Sequence, residues 1–344
     1  MNTAYVLTIK DFSGNISTLE ICVGDVVSLK SNEYIDLLCL SAFSNDYYPM
    51  PGTVVWGLSN LGVDISRIAS DKHRDWRSNW QSWISKPLNK KNLSIKRILC
   101  FEHGGRIEPS NVVGNIFRSI SELLLETPNQ SMQLIRLPLL STGNQGFNKS
   151  IMLEALIRQA YIHLRAGLQV DKIQLVLWPG DPEIHKLLIE IGILFEKIKS
   201  EWALMKISDP PKYDYFISYR REESNFVNEV IDQVLIKEPS SSFFVDEDAL
   251  EDGVFWKPQL ITGLYESQKA LCFISESYAS SVECMDEFHA ALCCSQYRSN
   301  FIKPLLCQTP KNLIKLPKSI QRLQLINALC PPQSINNLVD IITS

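Results

Sequence analysis

Glu287 stands where an α/β protein presents catalytic groups. The apolar run 270–274 precedes it, and a serine-rich segment, 275–281, leads from that run into the helical pattern that carries the carboxylate. A short, continuous apolar run is typical of a buried parallel strand, and ligands of such sheets bind beyond the carboxyl ends of the strands. We therefore expect Glu287 at that rim, where a carboxylate can stabilise positive charge that develops on a substrate. The alternative is an ordinary solvated carboxylate on a surface helix.

Two earlier segments have the pattern of further strands whose exit loops would lie near this carboxylate. The strand pattern 213–218 leads into a doubly basic turn at Arg220 and Arg221, and the strand pattern 243–246 leads into the acidic loop 247–256. An anionic diphosphate would pass the turn after a first strand, and arginine suits bidentate contact with phosphate. The same arginines could merely solubilise the loop, so both interpretations stay open.

In their order and spacing, these segments resemble the first box, the BB loop and the S-x-x-Y-x-x-S-x-W-C-x-x-E-L element of a Toll/interleukin-1 receptor (TIR) domain. The resemblance covers residues 212–344. It implies a flavodoxin-like sheet, homo-oligomers formed through TIR domains and, as in the enzymatic branch, cleavage of NAD that depends on Glu287. The NAD contacts that it implies are Ser218, Tyr219, Arg220, Phe255, Trp256 and Glu283. The chain departs from the family pattern at Glu283, where the usual residue is tryptophan, and at Phe288, where it is leucine.

The N-terminal part of the chain also alternates between strand and helix patterns. Short apolar runs predict strands at 35–40, 95–101, 133–138 and 172–178, and apolar residues at helical spacing predict helices at 113–125 and 151–164. Such alternation predicts a mostly parallel sheet with helices on both faces. The fold class is therefore α/β in both parts of the chain.

A glycine-bearing turn separates the strand 133–138 from the helix that opens near Lys149. Its two glycines let backbone N–H groups surround a phosphate, and the helix N-terminus that follows adds a favourable dipole. The candidate ligand-binding residues of this turn are Ser141, Thr142, Gly143, Asn144, Gln145, Gly146 and Phe147. An ordinary strand-to-helix turn also needs glycine for its backbone angles, which is the competing interpretation.

This turn resembles the phosphate-binding loop of a macro domain. The segment 24–27, Gly-Asp-Val-Val, further resembles the early G-D-I-T of that family, which implies that Asp25 and Val26 contact an adenine. Macro domains that hydrolyse ADP-ribose linkages carry an Asn-rich turn and a glycine triplet after the next strand. This chain has Ser-Ala-Phe-Ser-Asn at 41–45 and a single Gly52 there. The resemblance therefore implies that an ADP-ribose-type ligand is bound or sensed rather than hydrolysed.

The length of 344 residues predicts two domains, since one domain takes about 150 residues. The best boundary is the tandem Pro210–Pro211, because proline cannot continue a helix and restricts the residue before it. We expect a macro-like nucleotide-sensing domain at 1–207, a linker at 208–212 and a TIR domain at 213–344.

Composition narrows the classes of function. A net charge of −4, with 45% apolar and 21% charged residues, argues against nucleic acid as the main partner. No apolar run approaches the roughly 20 residues that span a bilayer, and the first residues lack a cationic signal-peptide opening, so we expect a cytoplasmic protein without a membrane partner. Nine cysteines without a C-x-x-C pair indicate reduced thiols rather than disulfides or a zinc site. We expect no metal and no cofactor other than NAD as substrate.

Other candidate residues favour structural roles. The five histidines share no spacing that would suggest a site. Trp76, Trp80 and Trp83 recur at helical spacing after Asp75, a pattern typical of core packing. Cys284 has no evident base beside it, so we expect a small buried side chain rather than a nucleophile.

Together these patterns and resemblances imply a NAD glycohydrolase of the TIR type that resembles the Thoeris anti-phage proteins of bacteria. An ADP-ribose-derived nucleotide in the macro-like domain, together with self-association through the loop 247–256, would activate it. A second hypothesis is a TIR enzyme that synthesises an NAD-derived signalling nucleotide. A third is a non-catalytic TIR adaptor that only assembles, and Glu283 in place of tryptophan keeps that hypothesis open.

Overall fold

The computed structural model divides the chain into two compact units, Met1–Ser200 and Glu201–Ser344. The structure describes residues 1–11, 13–28, 33–89, 93–103, 108–126, 131–203, 211–245, 258–295, 297–307, 316–321, 323, 326–327 and 333–343. The predicted linker at 208–212 lies mostly outside these residues, so the predicted bounds 1–207 and 213–344 stay predictions.

The N-terminal unit alternates strands with helices, as the sequence predicts. Its strands are β1 Asn2–Lys10, β2 Ile16–Val23, β3 Ile35–Phe43, β4 Lys72–Asp75, β5 Ser82–Ser85, β6 Ile95–His103, β7 Met132–Pro138 and β8 Val170–Leu177. Its helices are α1 Val54–Asn60, α2 Ile65–Ser70, α3 Arg77–Trp80, α4 Pro109–Glu126, α5 Lys149–Arg165 and α6 Ile184–Ala203. The four predicted strands and the two predicted helices are therefore confirmed.

One eight-stranded sheet runs through this unit, in the order β1-β2-β8-β7-β3-β6-β5-β4. The five central strands, β2, β8, β7, β3 and β6, pair in parallel. The antiparallel pairs lie at the two edges of the sheet. Parallel neighbours bring their carboxyl ends to one edge of the sheet. The loops after β2, β8, β7 and β3 therefore lie side by side.

The tryptophan pattern at 76–83 differs from the predicted helical stripe. Trp76 precedes the single turn of α3 and Trp80 is its last residue, but Trp83 lies on β5. Gln81, between α3 and β5, has a left-handed backbone with φ +51°. That residue ends the helix, so the helical spacing does not continue to Trp83. The predicted packing role is confirmed, because all three indoles are buried.

The C-terminal unit contains the strands β9 Tyr213–Ser218, β10 Phe243–Val245, β11 Ser267–Ile274, β12 Ile302–Leu306 and β13 Ile326–Asn327. Its helices are α7 Ser224–Lys237, α8 Pro258–Tyr265, α9 Glu276–Ser280, α10 Val282–Ser295, α11 Lys318–Gln321 and α12 Gln333–Thr343. The strands are all parallel, in the order β10-β9-β11-β12-β13. This is the flavodoxin-like order, which confirms the predicted fold.

Within the described residues, no helix combines the length and the apolar character that crossing a bilayer requires.

Buried His163 predicts a loss of stability at mildly acidic pH. Its ring stacks on Phe117 inside the N-terminal unit, and burial lowers its pKa from 6.5 to about 4. Between pH 6.5 and about 4, the His163 ring is protonated in the unfolded chain but not in the folded chain. The contribution of the neutral, buried ring to the free energy of unfolding is therefore complete above pH 6.5 and is lost as the pH falls toward 4. Chemical unfolding of the wild type and of His163→Phe, measured from pH 7 to 4.5, should show a shallower decline in the variant. Equal slopes would contradict this assignment.

Candidate functional site

The first candidate site lies where the order of the second sheet reverses. β9 and β11 are neighbours there, and their chains leave in opposite directions, toward β10 on one side and β12 on the other. In open parallel sheets a crevice forms at this switch point, beyond the carboxyl ends of the strands. Ser218 ends β9, and Ser275 follows the last residue of β11. The crevice therefore lies between the turn after Ser218 and the helices after Ser275.

Glu287 lies on the second of those helices rather than on one that begins directly after the strand. Ser281 has an extended backbone with ψ 130° that separates α9 from α10. Its hydroxyl oxygen accepts the N–H of Cys284 at 3.3 Å, as an N-cap does. This break starts a new helix, and Glu287 falls in its second turn.

The Glu287 carboxylate is fixed by a chain of hydroxyl groups. The Ser218 hydroxyl donates to Glu287 Oε2 and lies 2.7 Å from the Tyr278 hydroxyl. Burial, with a contribution from nearby thiols and Glu287, raises the pKa of Tyr278 well above its usual range, so this phenol keeps its proton. Glu287 is only 8% exposed, which is more buried than a rim position suggests. The three groups form one oriented network at the switch point.

Arg220 and Glu283 meet across a second small network. Arg220 Nη1 lies 3.4 Å from Ser281 Oγ, and the Ser281 hydroxyl donates to Glu283 Oε2 at 2.9 Å. Arg220 also pairs with Glu222 at 3.4 Å. The guanidinium and the exposed Glu283 carboxylate therefore border the crevice with opposite charges.

Cys284 is inert in this setting. Its thiol donates to the Tyr219 carbonyl at 3.5 Å, and burial raises its pKa far above the usual range. The thiolate required of a nucleophile does not form at neutral pH. This agrees with the predicted small buried side chain.

The structure thus brings together four of the residues predicted to contact NAD, namely Ser218, Tyr219, Arg220 and Glu283, with the predicted catalytic residue Glu287. Phe255 and Trp256, with the predicted docking loop 247–256, lie outside the described residues. The crevice thus offers an oriented carboxylate and an arginine, which suit a substrate that carries both a sugar and a diphosphate.

The second candidate site is a cleft of about 640 Å³ at the carboxyl edge of the N-terminal sheet. The residues predicted to bind a nucleotide that line it are Asp25, Val26, Ser141, Thr142, Gly143, Asn144 and Gln145. The N–H groups of Gly146 and Phe147 close the turn instead, by donating to Gly143 and Ser141 at 3.0 and 3.1 Å. These last two residues are therefore part of the loop's internal framework.

The turn 141–147 presents a row of backbone donors. Among the described residues, the N–H groups of 142–145 have no hydrogen-bond partner. Ser141 has φ +59°, a conformation that residues other than glycine seldom adopt. Its N–H is held by Ser41 Oγ at 3.0 Å. A loop with fixed ends and a free row of N–H groups can surround a phosphate.

The segment after β3 approaches this turn from the other side. The Gln145 amide donates to the Ala42 carbonyl at 2.7 Å, and Asn144 Nδ2 lies 3.1 Å from Met50 Sδ. Gly52 has φ +84° and lines the cleft, which makes it the turn residue of this segment. The segment has the single Gly52 and no glycine triplet, as the sequence shows, and its bulkier side chains line the cleft.

Two residues that sequence reasoning missed contribute to this cleft. Trp178 lines it directly after β8 and is 64% exposed, which is unusual for an indole. Arg136, fully buried on β7, donates from Nη1 to the carbonyls of Val26 and Ser28 at 3.4 and 3.0 Å. Trp178 ends an apolar run and could have been noticed there. Arg136 stands within a strand pattern, and only the sheet order shows what it holds.

Neither site contains a set of metal ligands. Among the described residues, no group of three or more histidine, cysteine or acidic side chains could hold an ion. The eight described cysteines are free thiols, and seven of them are buried.

Residues 216–338 match the family model of the TIR domain, so the C-terminal unit contains a TIR domain. The N-terminal unit is similar to solved macrodomains. A macrodomain of Oceanobacillus iheyensis with MES bound has 16% identity and a TM-score of 0.41, with 56% of this chain and 98% of that chain covered. The same macrodomain with ADP has 16% identity and a TM-score of 0.41, with 56% of this chain and 99% of that chain covered. The Trypanosoma brucei macrodomain in complex with ADP-ribose has 14% identity and a TM-score of 0.37, with 51% of this chain and 68% of that chain covered. No curated protein sequence matches the chain.

The two glycines of the turn should differ in their tolerance of a side chain. A Cβ at Gly143 meets no atom within 4 Å and its φ is not positive, whereas Gly146 has φ +74°. We expect Gly143→Val to leave the urea midpoint almost unchanged and Gly146→Val to cost about 1–2 kcal/mol of stability, because a branched residue is strained there. Equal loss in both variants would show that backbone conformation does not distinguish the two positions.

Proposed function

We propose that this protein is a TIR effector that cleaves NAD with Glu287. The observation that carries the proposal is the position of this carboxylate, oriented by Ser218 and Tyr278 at the switch point of a TIR sheet. The bond between nicotinamide and ribose breaks with its electron pair moving to nicotinamide, which leaves as a neutral molecule. The ribose then carries positive charge that Glu287 stabilises, and water adds and loses a proton to give ADP-ribose.

Arg220 supports the binding of the same substrate. Its guanidinium lies at the exit of β9, within reach of Ser281, and one bidentate contact could hold a phosphate of the NAD diphosphate. NAD is the substrate, and the proposed chemistry needs no other cofactor. Phe255 and Trp256 complete the proposed NAD contacts from the loop 247–256, through which the TIR domains would associate into homo-oligomers.

The N-terminal cleft is the proposed regulatory site. Asp25 and Trp178 offer a carboxylate and an exposed indole for an adenine, and the N–H row at 142–145 offers donors for a diphosphate. An ADP-ribose-derived nucleotide bound there would favour the active assembly. The combination of a sensing domain with a TIR domain suits a cytoplasmic effector of bacterial anti-phage defence.

Two other functions use the same architecture. A synthase would pass the ribose cation to an internal nitrogen or to a second nucleophile and release a signalling nucleotide. An adaptor would assemble without chemistry, and the observations that favour it are Glu283 in the usual tryptophan position and the low exposure of Glu287. Mass spectrometry of NAD incubated with the protein separates the three, since the products are ADP-ribose, a cyclic or conjugated nucleotide, or unchanged NAD.

Glu287→Gln should lower NAD cleavage about a hundredfold or more, because the amide preserves the shape but not the charge that stabilises the ribose cation. Ser218→Ala should give a smaller loss, since the carboxylate remains but loses its fixed orientation. The matched control is Glu276→Gln, an exposed carboxylate on the neighbouring helix α9. Turnover is followed by release of nicotinamide. Near-normal turnover in Glu287→Gln would rule out this carboxylate as the catalytic group.

Gly143→Val should abolish the stimulation of NAD cleavage by added ADP-ribose, because the side chain fills the space where a phosphate would lie. To raise the fraction of protein in the active state from about 1% to 99%, the ligand must bind that state roughly 10⁴-fold more tightly than the inactive state, a difference of about 5.5 kcal/mol. Loss of ligand binding removes this free-energy difference. The assay compares turnover with and without ADP-ribose, and calorimetry records binding. Glu287→Gln serves as the reciprocal control, which should bind ligand without turnover. Full stimulation of a Gly143→Val protein that binds no ligand would exclude the cleft as the switch.

A further inference from the structure

The sheet order sets out the N-terminal cleft as a row of three regions. Asp25 and Trp178 follow the neighbouring strands β2 and β8, and the turn 141–147 follows β7. The aromatic segment 43–56 runs from the last residue of β3 into the first turn of α1. Adjacent strands lie about 4.8 Å apart, so the row from β2 to β3 is roughly 14 Å long. A diphosphate at the central turn therefore has a binding region on each side of it, and a nucleotide with a single base fills only one of them.

The region after β3 is aromatic and exposed. Phe43, Tyr48 and Trp56 line the cleft there with 43%, 73% and 42% of their surfaces exposed, together with Met50. The segment is ordered by its own hydrogen bonds, since Asp46 accepts the N–H of Tyr48 at 3.1 Å and Thr53 accepts the N–H of Trp56 at 3.1 Å. Exposed rings on a fixed segment suit stacking with a planar group of the ligand.

The charge of the cleft determines which kind of planar ligand group it favours. The charged side chains among its described lining residues are Asp25, Asp46 and Asp181, and all three are acidic. Asp181 is paired with Lys149 at 2.8 Å, whereas Asp46 lies within the aromatic segment. Aromatic faces with a carboxylate among them attract a cation and do not favour a neutral or anionic ring.

We propose that the N-terminal cleft takes a dinucleotide whose terminal ribose carries a cationic aromatic ring, as the oxidised nicotinamide of NAD⁺ does. This ligand class rests on the proposed nucleotide-binding function of the cleft. The cationic ring occupies the region of Phe43, Tyr48 and Trp56, with Asp46 as its counter-charge. NAD⁺ also carries one negative charge fewer than ADP-ribose, which suits an acidic lining.

The test measures binding to the full chain by calorimetry, with Glu287→Gln present so that NAD⁺ is not consumed. The Glu287→Gln protein is compared with the double variant that also carries Gly143→Val. The binding heat that the double variant lacks is assigned to the cleft, and the heat that remains is assigned to the TIR domain. NAD⁺, NADH and ADP-ribose are compared, because NADH keeps the shape of the dinucleotide without the cationic ring. We expect NAD⁺ to bind the cleft about five- to thirtyfold more tightly than either of the other two.

Variants of the aromatic segment test whether its side chains contact the cationic ring. Trp56→Ala should reduce the affinity for NAD⁺ to that for ADP-ribose and leave the affinity for ADP-ribose unchanged. Asp46→Asn should narrow the difference between NAD⁺ and NADH. Tyr34→Ala removes an exposed ring outside the cleft lining and is the matched control.

The outcomes separate the two levels of the proposal. If ADP-ribose or NADH binds the cleft as tightly as NAD⁺, the cationic-ring inference is overturned while nucleotide binding stands. If none of the three compounds binds there, both the inference and the nucleotide-sensing role fail. Tighter binding of NAD⁺ that depends on Trp56 and Asp46 supports both.

Discussion

Parallel strand pairing determines where the two candidate sites of this protein lie. Strands that run in one direction bring all their carboxyl ends to one edge, and the loops that leave them meet there although they are far apart in sequence. Ser218 and Glu287 are 69 residues apart and share a hydrogen bond for this reason. Ser41 and Ser141 are 100 residues apart and meet at the rim of the other sheet. Both candidate sites follow from the direction of their strands.

Most of this arrangement could be predicted from the sequence, because buried parallel strands form short apolar runs and phosphate-binding turns need small residues. The runs that became β3, β6, β7, β8 and β11 have that pattern, and the turn 141–147 follows one of them. The break at Ser281 could not be predicted, because serine suits both a helix interior and a helix N-cap. The sheet order was also needed to show that Arg136 reaches the segment that begins at Asp25.

Burial gives the candidate catalytic carboxylate its particular character. An exposed glutamate would be surrounded by water that screens its charge, whereas Glu287 is buried and accepts the Ser218 hydroxyl, which lies beside the Tyr278 hydroxyl. In such surroundings a carboxylate interacts strongly with a nearby positive charge, and its orientation is already set before a substrate arrives.

Arg136 gives the N-terminal cleft a fixed length. Its guanidinium binds the carbonyls of Val26 and Ser28, and its backbone belongs to β7, the strand that ends in the phosphate-type turn. Gln174 on β8 accepts from the same guanidinium at 2.8 and 3.0 Å and donates to Glu20 on β2 at 2.8 Å, so three neighbouring strands are joined. The segment that begins at Asp25 and the turn 141–147 are therefore tied together through Arg136 and β7. If a nucleotide binds there as proposed, this fixed spacing selects it by the distance between its groups as well as by the groups themselves.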